Sequence, residues 1–273
     1  MFTRSFANNR GASLLEVLIA LFLTGIITAA VFQTYITQHQ NYLVQDDITE
    51  IQQNARAAVD ELTRQIRMAG YALPAGLPSI VASNTNPDTI TICYRDDACN
   101  TFLSEAMPQP SSELKCGTDV SCFHEGEWLY IYETDSGKGE FFTVTEVQTG
   151  SLNLQHNTMS LSRKYGQKSL VLTVNSLKFY VDKTTDPSHP CLMVKTLNQA
   201  TPQVYAENIS DLQFQYRLAN GNIVDVPTAV SDVRQVLIHV VARSNTPTRD
   251  KQGVDTFRTR TFDSEVYLRN LDT

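Results

Sequence analysis

From Ala12 to Phe32 the chain is apolar apart from a single carboxylate, Glu16, one serine, Ser13, and two threonines. A run of that length, roughly 31 Å as a helix, matches a bilayer core of about 30 Å. Beyond Phe32 polarity rises gradually, and Ile48, Ile51, Ala55, Ala58, Leu62, Ile66 and Ala69 recur at steps of three and four. That period puts them on one face of a helix, with Arg56, Asp60, Glu61, Arg64 and Arg67 on much of the remainder. No proline occurs before Pro74, and Gly70 fits a C-terminal cap. The pattern predicts one helix over residues 12–70, with 12–32 as its membrane half and a second half that must bury a stripe.

After residue 71 the period changes from helical to β. Runs at 89–94, 128–134, 140–148, 169–182 (as two pieces) and 191–197 are rich in β-branched and aromatic residues and bounded by turn residues. In "DLQFQYRL" Leu212, Phe214, Tyr216 and Leu218 alternate with Asp211, Gln213, Gln215 and Arg217, and Asn220-Gly221 then marks a turn. The run 233–243 is apolar on both faces and reads as a central strand; 256–270 closes the chain as another. Residues 95–127 and 183–190 read as loops. A long helix followed only by strands at hairpin distances predicts an α+β fold, the helix stripe covering one face of an antiparallel sheet.

Composition narrows this picture. The chain has 273 residues, 42% hydrophobic and 19% charged, with 22 basic against 29 acidic residues. A net charge of -7 argues against nucleic acid as a partner, and a solvated face explains Arg243, Arg249, Lys251, Arg258 and Arg260 near the C terminus. Arg4 and Arg10 form a short basic head, which keeps residues 1–10 cytoplasmic. No small-residue cleavage site follows the apolar run, so the helix reads as retained rather than as an ordinary signal peptide.

The five cysteines lie in the part that would be exported, where disulfides are expected over metal thiolates. Cys93/Cys99 and Cys116/Cys122 repeat one spacing, which suggests bridges 93–99 and 116–122, although cross-pairing such as 93–122 stays open. Each short bridge would stabilise the polar segment 93–122 by roughly 2–2.5 kcal/mol. Cys191 is the odd one, either a buried thiol or a replacement partner.

Chemistry is otherwise sparse. His39, His124, His156, His189 and His239 are scattered, with none spaced as a helical ligand pair, and no nucleophile elbow, phosphate loop or H-E-x-x-H zinc motif occurs. Asp135–Glu140 departs from calcium-loop spacing and reads as a hairpin turn. Trp128 and its aromatic neighbours read as core. Neither a catalytic site nor a metal or cofactor site is expected.

The isolated Glu16 does require an account, because a lone carboxylate in an apolar run is costly and points to function. "RGASLLEVLIALFLTGI" (10–26) resembles the class III signal of type IV prepilins and type II secretion pseudopilins. The resemblance makes residues 1–11 a leader cut after Gly11, Ala12 the first mature residue and site of N-methylation, and Glu16 the fifth. It implies that Glu16 pairs with the Ala12 amine of a neighbouring subunit. The purely local alternative is an i,i+4 pair with its own N terminus. "EIQQNARAAVDELTRQIRMAGY" (50–71), "ENISDLQFQYRL" (207–218), "VRQVLIHVVARS" (233–244) and "FRTRTFDSEVYLRNL" (257–271) are similar to segments of PilW-type minor pilins; residues 72–206 add little. Ala12 replaces the usual Phe or Met, and the proline common in the membrane half of pilins is missing.

The resemblance implies a non-enzymatic minor pilin, held in the bacterial inner membrane with its N terminus cytoplasmic and then assembled into a fibre. Its partners would be prepilin peptidase, an inner-membrane assembly platform, other minor and major pilins, a tip adhesin and, before assembly, inner-membrane lipid. The competing readings are a type II secretion minor pseudopilin and, from another class, a single-pass anchored periplasmic enzyme or ligand-binding domain.

Overall fold

The computed structural model describes residues 13–95, 99–249 and 254–270. Helix α1 (Leu14–Met68) runs 55 residues. The described chain divides after Thr49 into two units, each taken by itself below. The first is helix alone.

In the second unit, residues from Glu50 onward, α1 presents the stripe that the sequence predicts. Ile51, Ala55, Ala58, Leu62 and Ile66 are buried, and Ala69 just past the helix joins them. Alanines on the stripe let backbone approach closely, while Leu62 and the isoleucines supply apolar volume. The helix ends as expected: Gly70 takes a positive φ of 82°. Its N–H donates to the carbonyl of Cys93, and Asn270 Nδ2 donates to the terminal carbonyls of Arg67 and Ala69. A residue near the far end of the chain thus satisfies groups the helix leaves unpaired.

The strands follow. β1 (Ile80–Ser83) and β2 (Thr89–Tyr94) form a hairpin. The chain then leaves that sheet for a separate lobe built from β3 (Asn100–Phe102), β4 (Leu114–Lys115), β5 (Trp128–Glu133), β6 (Lys138–Thr143), β7 (Glu146–Gln148), β8 (Asn153–Gln155) and β9 (Leu170–Thr173). It returns with β10 (Asn175–Asp182), β11 (Cys191–Thr196), β12 (Gln203–Ala206), β13 (Ile209–Leu218), β14 (Ile223–Val224), β15 (Val233–Arg243), β16 (Thr248–Arg249), β17 (Asp255–Thr256) and β18 (Thr259–Tyr267). Every pairing between these strands is antiparallel. The architecture is α+β.

Two larger sheets, β1-β2-β10-β11-β12 and β14-β13-β15-β18, turn their apolar faces to the α1 stripe. Alternation along β13 puts Leu212, Phe214 and Tyr216 inward, and β15 adds Val236, Ile238 and Val240. The β1–β2 turn is tied to this second sheet by Asp88. Its buried carboxylate accepts from Thr85 N and Phe214 N, and its own N–H donates to Leu212 O.

The separate lobe has its own core under the sheet β3-β9-β5-β6 and the ladder β4-β8-β7. Leu103, Leu114, Leu129, Ile131, Phe142 and Leu154 are wholly buried there. Residues 95–127, expected as loop, therefore contain β3 and β4. The run 140–148 breaks into β6 and β7, while 169–182 is indeed two strands. Gly139 is required in β6, because a Cβ there would lie 2.5 Å from the Tyr130 ring and from the Ile131 carbonyl oxygen.

Candidate functional site: the N-terminal helix and the cysteines

The first residues of α1 hold the one sequence motif with a functional meaning. Gly11 and Ala12, the expected cleavage and methylation positions, lie outside the described residues, as does the rest of the 1–11 leader. Glu16 lies in the first helical turn, and its N–H donates to Ser13 O at 2.9 Å. A carboxylate there is favoured by the positive end of the helix dipole. The side chain is exposed.

Around it the helix is apolar and uncovered. Its most hydrophobic 18-residue window has a mean hydropathy of 2.4 and 0% of it is buried. Leu14 is 80% exposed and Phe22 70%. So large an apolar surface is unstable in water and marks a segment meant for lipid or for other protein. Four of its threonine hydroxyls need nothing from outside: Thr24, Thr28, Thr34 and Thr37 each donate to the carbonyl four residues earlier, at 2.7–3.0 Å.

The cysteines depart from expectation. The structure joins Cys99 to Cys122 and leaves Cys93, Cys116 and Cys191 as thiols. Bridges 93–99 and 116–122 are therefore replaced by a single cross-link between the two pairs. Sheet membership is the reason. Cys93 lies within β2, opposite Ser176 of β10, whereas Cys99 directly precedes β3, which pairs with β9 in the other lobe. Cys116 faces Leu103 in an isolated bridge and is buried, its thiol directed to the Leu114 carbonyl. Burial pushes the Cys116 thiol up to about 11 and raises Cys93 as well, so both stay protonated and unreactive.

Clusters that resemble catalytic sets come apart on inspection. His239 Nδ1 lies 2.7 Å from Asp263 Oδ1, in a groove of about 430 Å³ on the outer face of the β13-β15-β18 sheet. The nearest hydroxyl in sequence, Ser264, takes the opposite pleat and sits 3.5 Å from Thr63 Oγ1 on the helix side. His189 pairs with Asp186 at 3.0 Å, but the Cys191 thiol points to the His189 backbone carbonyl rather than its ring. Burial raises the Cys191 pKa too. His156 is buried with its ring nitrogens each 2.8 Å from a carbonyl, of Met159 and of Ser112, which makes it a brace between loops. His39 stacks on Tyr35 within α1. Among the described residues no group of three or more His, Cys, Asp or Glu could hold a metal ion. Of the basic residues near the C terminus, Lys251 lies outside the described residues, and Arg243 is spent inside the fold, over the Phe257 ring at 4.0 Å and bonded to the Pro187 and Ser188 carbonyls.

Sequence reasoning missed Asp88, although "NPD" at 86–88 carries a turn signal. It also missed Glu133 and Glu140. Glu140 accepts from Ser162 N, Ser162 Oγ and Tyr165 Oη; Glu133 accepts from Gly166 N and Ser136 Oγ. Together they fasten the 162–166 segment to the β5–β6 hairpin. No local spacing announces that role.

An uncovered apolar N-terminal helix on an α+β body defines the class: a protein whose first segment requires a lipid or protein environment. A family model described as the prokaryotic N-terminal methylation motif matches residues 6–32. This match supports a type IV pilin-like or pseudopilin-like protein, processed by prepilin peptidase and assembled with other pilins. The motif and the apolar helix fit anchoring in the inner membrane before assembly into pili. Comparisons with curated proteins and with solved structures gave no match.

Proposed function

We propose that this chain is a minor pilin of the PilW type that helps to prime type IV pilus assembly at or near the fibre tip, without catalysing a reaction. The observation that carries the reading is that the uncovered apolar part of α1 coincides with the matched N-terminal methylation motif, residues 6–32. Cleavage after Gly11 frees the Ala12 amine for methylation. In the assembled fibre Glu16 pairs with the amine of a neighbouring subunit, which removes the cost of an unmatched charge among apolar helices and fixes axial register. The inner-membrane platform extracts the subunit, and the β-rich body meets other pilins and a tip adhesin.

Three variants test this, read by the mass of the mature chain and by recovery in sheared pili. Gly11→Ala should leave a heavier, uncut chain absent from pili. Glu16→Ala should be cut normally yet recovered poorly, and Glu16→Gln should fall between, keeping a hydrogen bond but losing the ion pair. Normal recovery of Glu16→Ala would return Glu16 to an intrahelical role. Deleting the whole gene should abolish surface pili; loss of secreted enzymes with pili intact would instead make the chain a pseudopilin.

A further inference from the structure

β18 has an open margin. It is the outer strand of the sheet β14-β13-β15-β18 and runs nine residues. Other outer strands are shorter or covered: β1 and β12 have four residues each, β14 has two, and β6 has its Glu140 held by the 162–165 segment.

The direction of each β18 backbone group follows from the ladder. Register with β15 is unbroken from Gln235↔Tyr267 to Arg243↔Thr259. Just beyond its ends, Leu268 N donates to Arg234 O and Ser244 N donates to Arg258 O. In an antiparallel ladder, residue pairs that exchange bonds alternate with pairs that do not. Even-numbered residues of β18 therefore turn their N–H and C=O to β15. Thr259, Thr261, Asp263, Glu265 and Tyr267 turn theirs to the open side. Among the described residues no backbone bond reaches these five from that side. The strand has neither proline nor bulge, two of the devices that usually blunt such a margin.

The side chains of the same five residues are exposed on the outer face of the sheet. Asp263 and Glu265 stand two residues apart, opposite His239 and Leu237 of β15. Asp225 lines the same groove, whereas Arg260 has the opposite parity. The antiparallel self-pairing that keeps all five open residues sets Asp263 against Asp263, which opposes like charges. A second copy is therefore the wrong occupant.

We propose that β18 is an acceptor margin for a strand from a neighbouring subunit of different sequence, an extended segment with Lys or Arg at alternate positions. Backbone bonds to the five open residues supply binding, and basic side chains across from Asp263 and Glu265 supply selectivity. The inference does not depend on whether the assembly is a pilus or a pseudopilus.

The test uses the full chain in non-ionic detergent and a labelled, end-capped nine-residue peptide of alternating Lys and Val, followed by fluorescence anisotropy. Binding should be saturable. Methylating alternate backbone nitrogens of the peptide should weaken it at least about tenfold, because those N–H donors are lost. Asp263→Lys with Glu265→Lys should weaken the Lys peptide roughly tenfold and favour its Glu counterpart. Equal binding of the N-methylated peptide would reduce the contact to charge alone and overturn the proposal. So would absence of binding, indifference to the charge swap, or self-association of the chain through this strand. Glu16→Ala should leave peptide binding unchanged, so failure of this test and failure of the pilin reading are separable.

Discussion

The two largest of the three cores that the described residues form from Glu50 onward are closed in different ways. The first lies between α1 and two sheets, and its cover is a single stripe of apolar side chains from Ile51 to Ala69. The second contains no helix. It is closed by short strands and loops, held by the Cys99–Cys122 bridge, by His156 between two carbonyls, and by Glu133 and Glu140 on the 162–166 segment. A helix covers a core by area, so its contribution is spread and repeats with the helical period. Loops have little apolar area, so a loop-covered core leans more on a few directional bonds and on its cross-link.

The contrast is tested hardest at the stripe. Leu62 is wholly buried, and Leu62→Ala should cost about 2–5 kcal/mol, read by chemical unfolding of the full chain in detergent. A cost under about 1 kcal/mol would mean that helix and sheets close over the gap, so area alone does not hold this core. The bridge comes next. Cys99→Ser with Cys122→Ser should cost about 3 kcal/mol for a loop of sequence separation 23. Hydrogen exchange should quicken at Leu103 and Leu114 and stay unchanged at Ile238. Uniform quickening would make the two cores one cooperative unit. Non-reducing peptide mapping should recover 99 linked to 122 and three thiols, with Cys191 the first to react with maleimide; a 93–99 or 116–122 linkage would break the account.

The smallest effect concerns pH. Burial holds the Cys116 thiol at about 11, against an ordinary value near 9.0. Well below pH 9 both states keep the proton and Cys116 adds no slope. Between about 9 and 11 the unfolded thiol ionises first, so the unfolded state binds fewer protons and stability falls as pH rises. Cys116→Ala should flatten part of that alkaline decline in unfolding curves taken at pH 8, 9 and 10. An unchanged decline would assign it to other groups raised by burial, Tyr165 at about 12 among them.

The same contrast decides what could be read from the chain. The stripe was legible because Ala55, Ala58, Leu62 and Ile66 keep a period that only one backbone geometry satisfies. β15 was legible as a central strand because it is apolar on both faces, and it does lie between β13 and β18. β3, β4 and β8 were not, since two or three residues carry no period. Nor was the disulfide, because equal cysteine spacing does not reveal that Cys93 and Cys99 belong to different sheets. Glu16 stood out through its isolation in an apolar run. The open side of β18 had no such signal, for a strand becomes an edge only through which others pair beside it.

The threonines of α1 carry a last consequence. Because Thr24, Thr28, Thr34 and Thr37 spend their hydroxyl protons on their own backbone, these four hydroxyls take their partners with them wherever the segment goes. Passing from acyl chains to a packing of side chains then breaks no hydroxyl bond and leaves none to be remade. Glu16 apart, such a helix is indifferent to which apolar medium surrounds it, and that indifference lets one sequence serve in both.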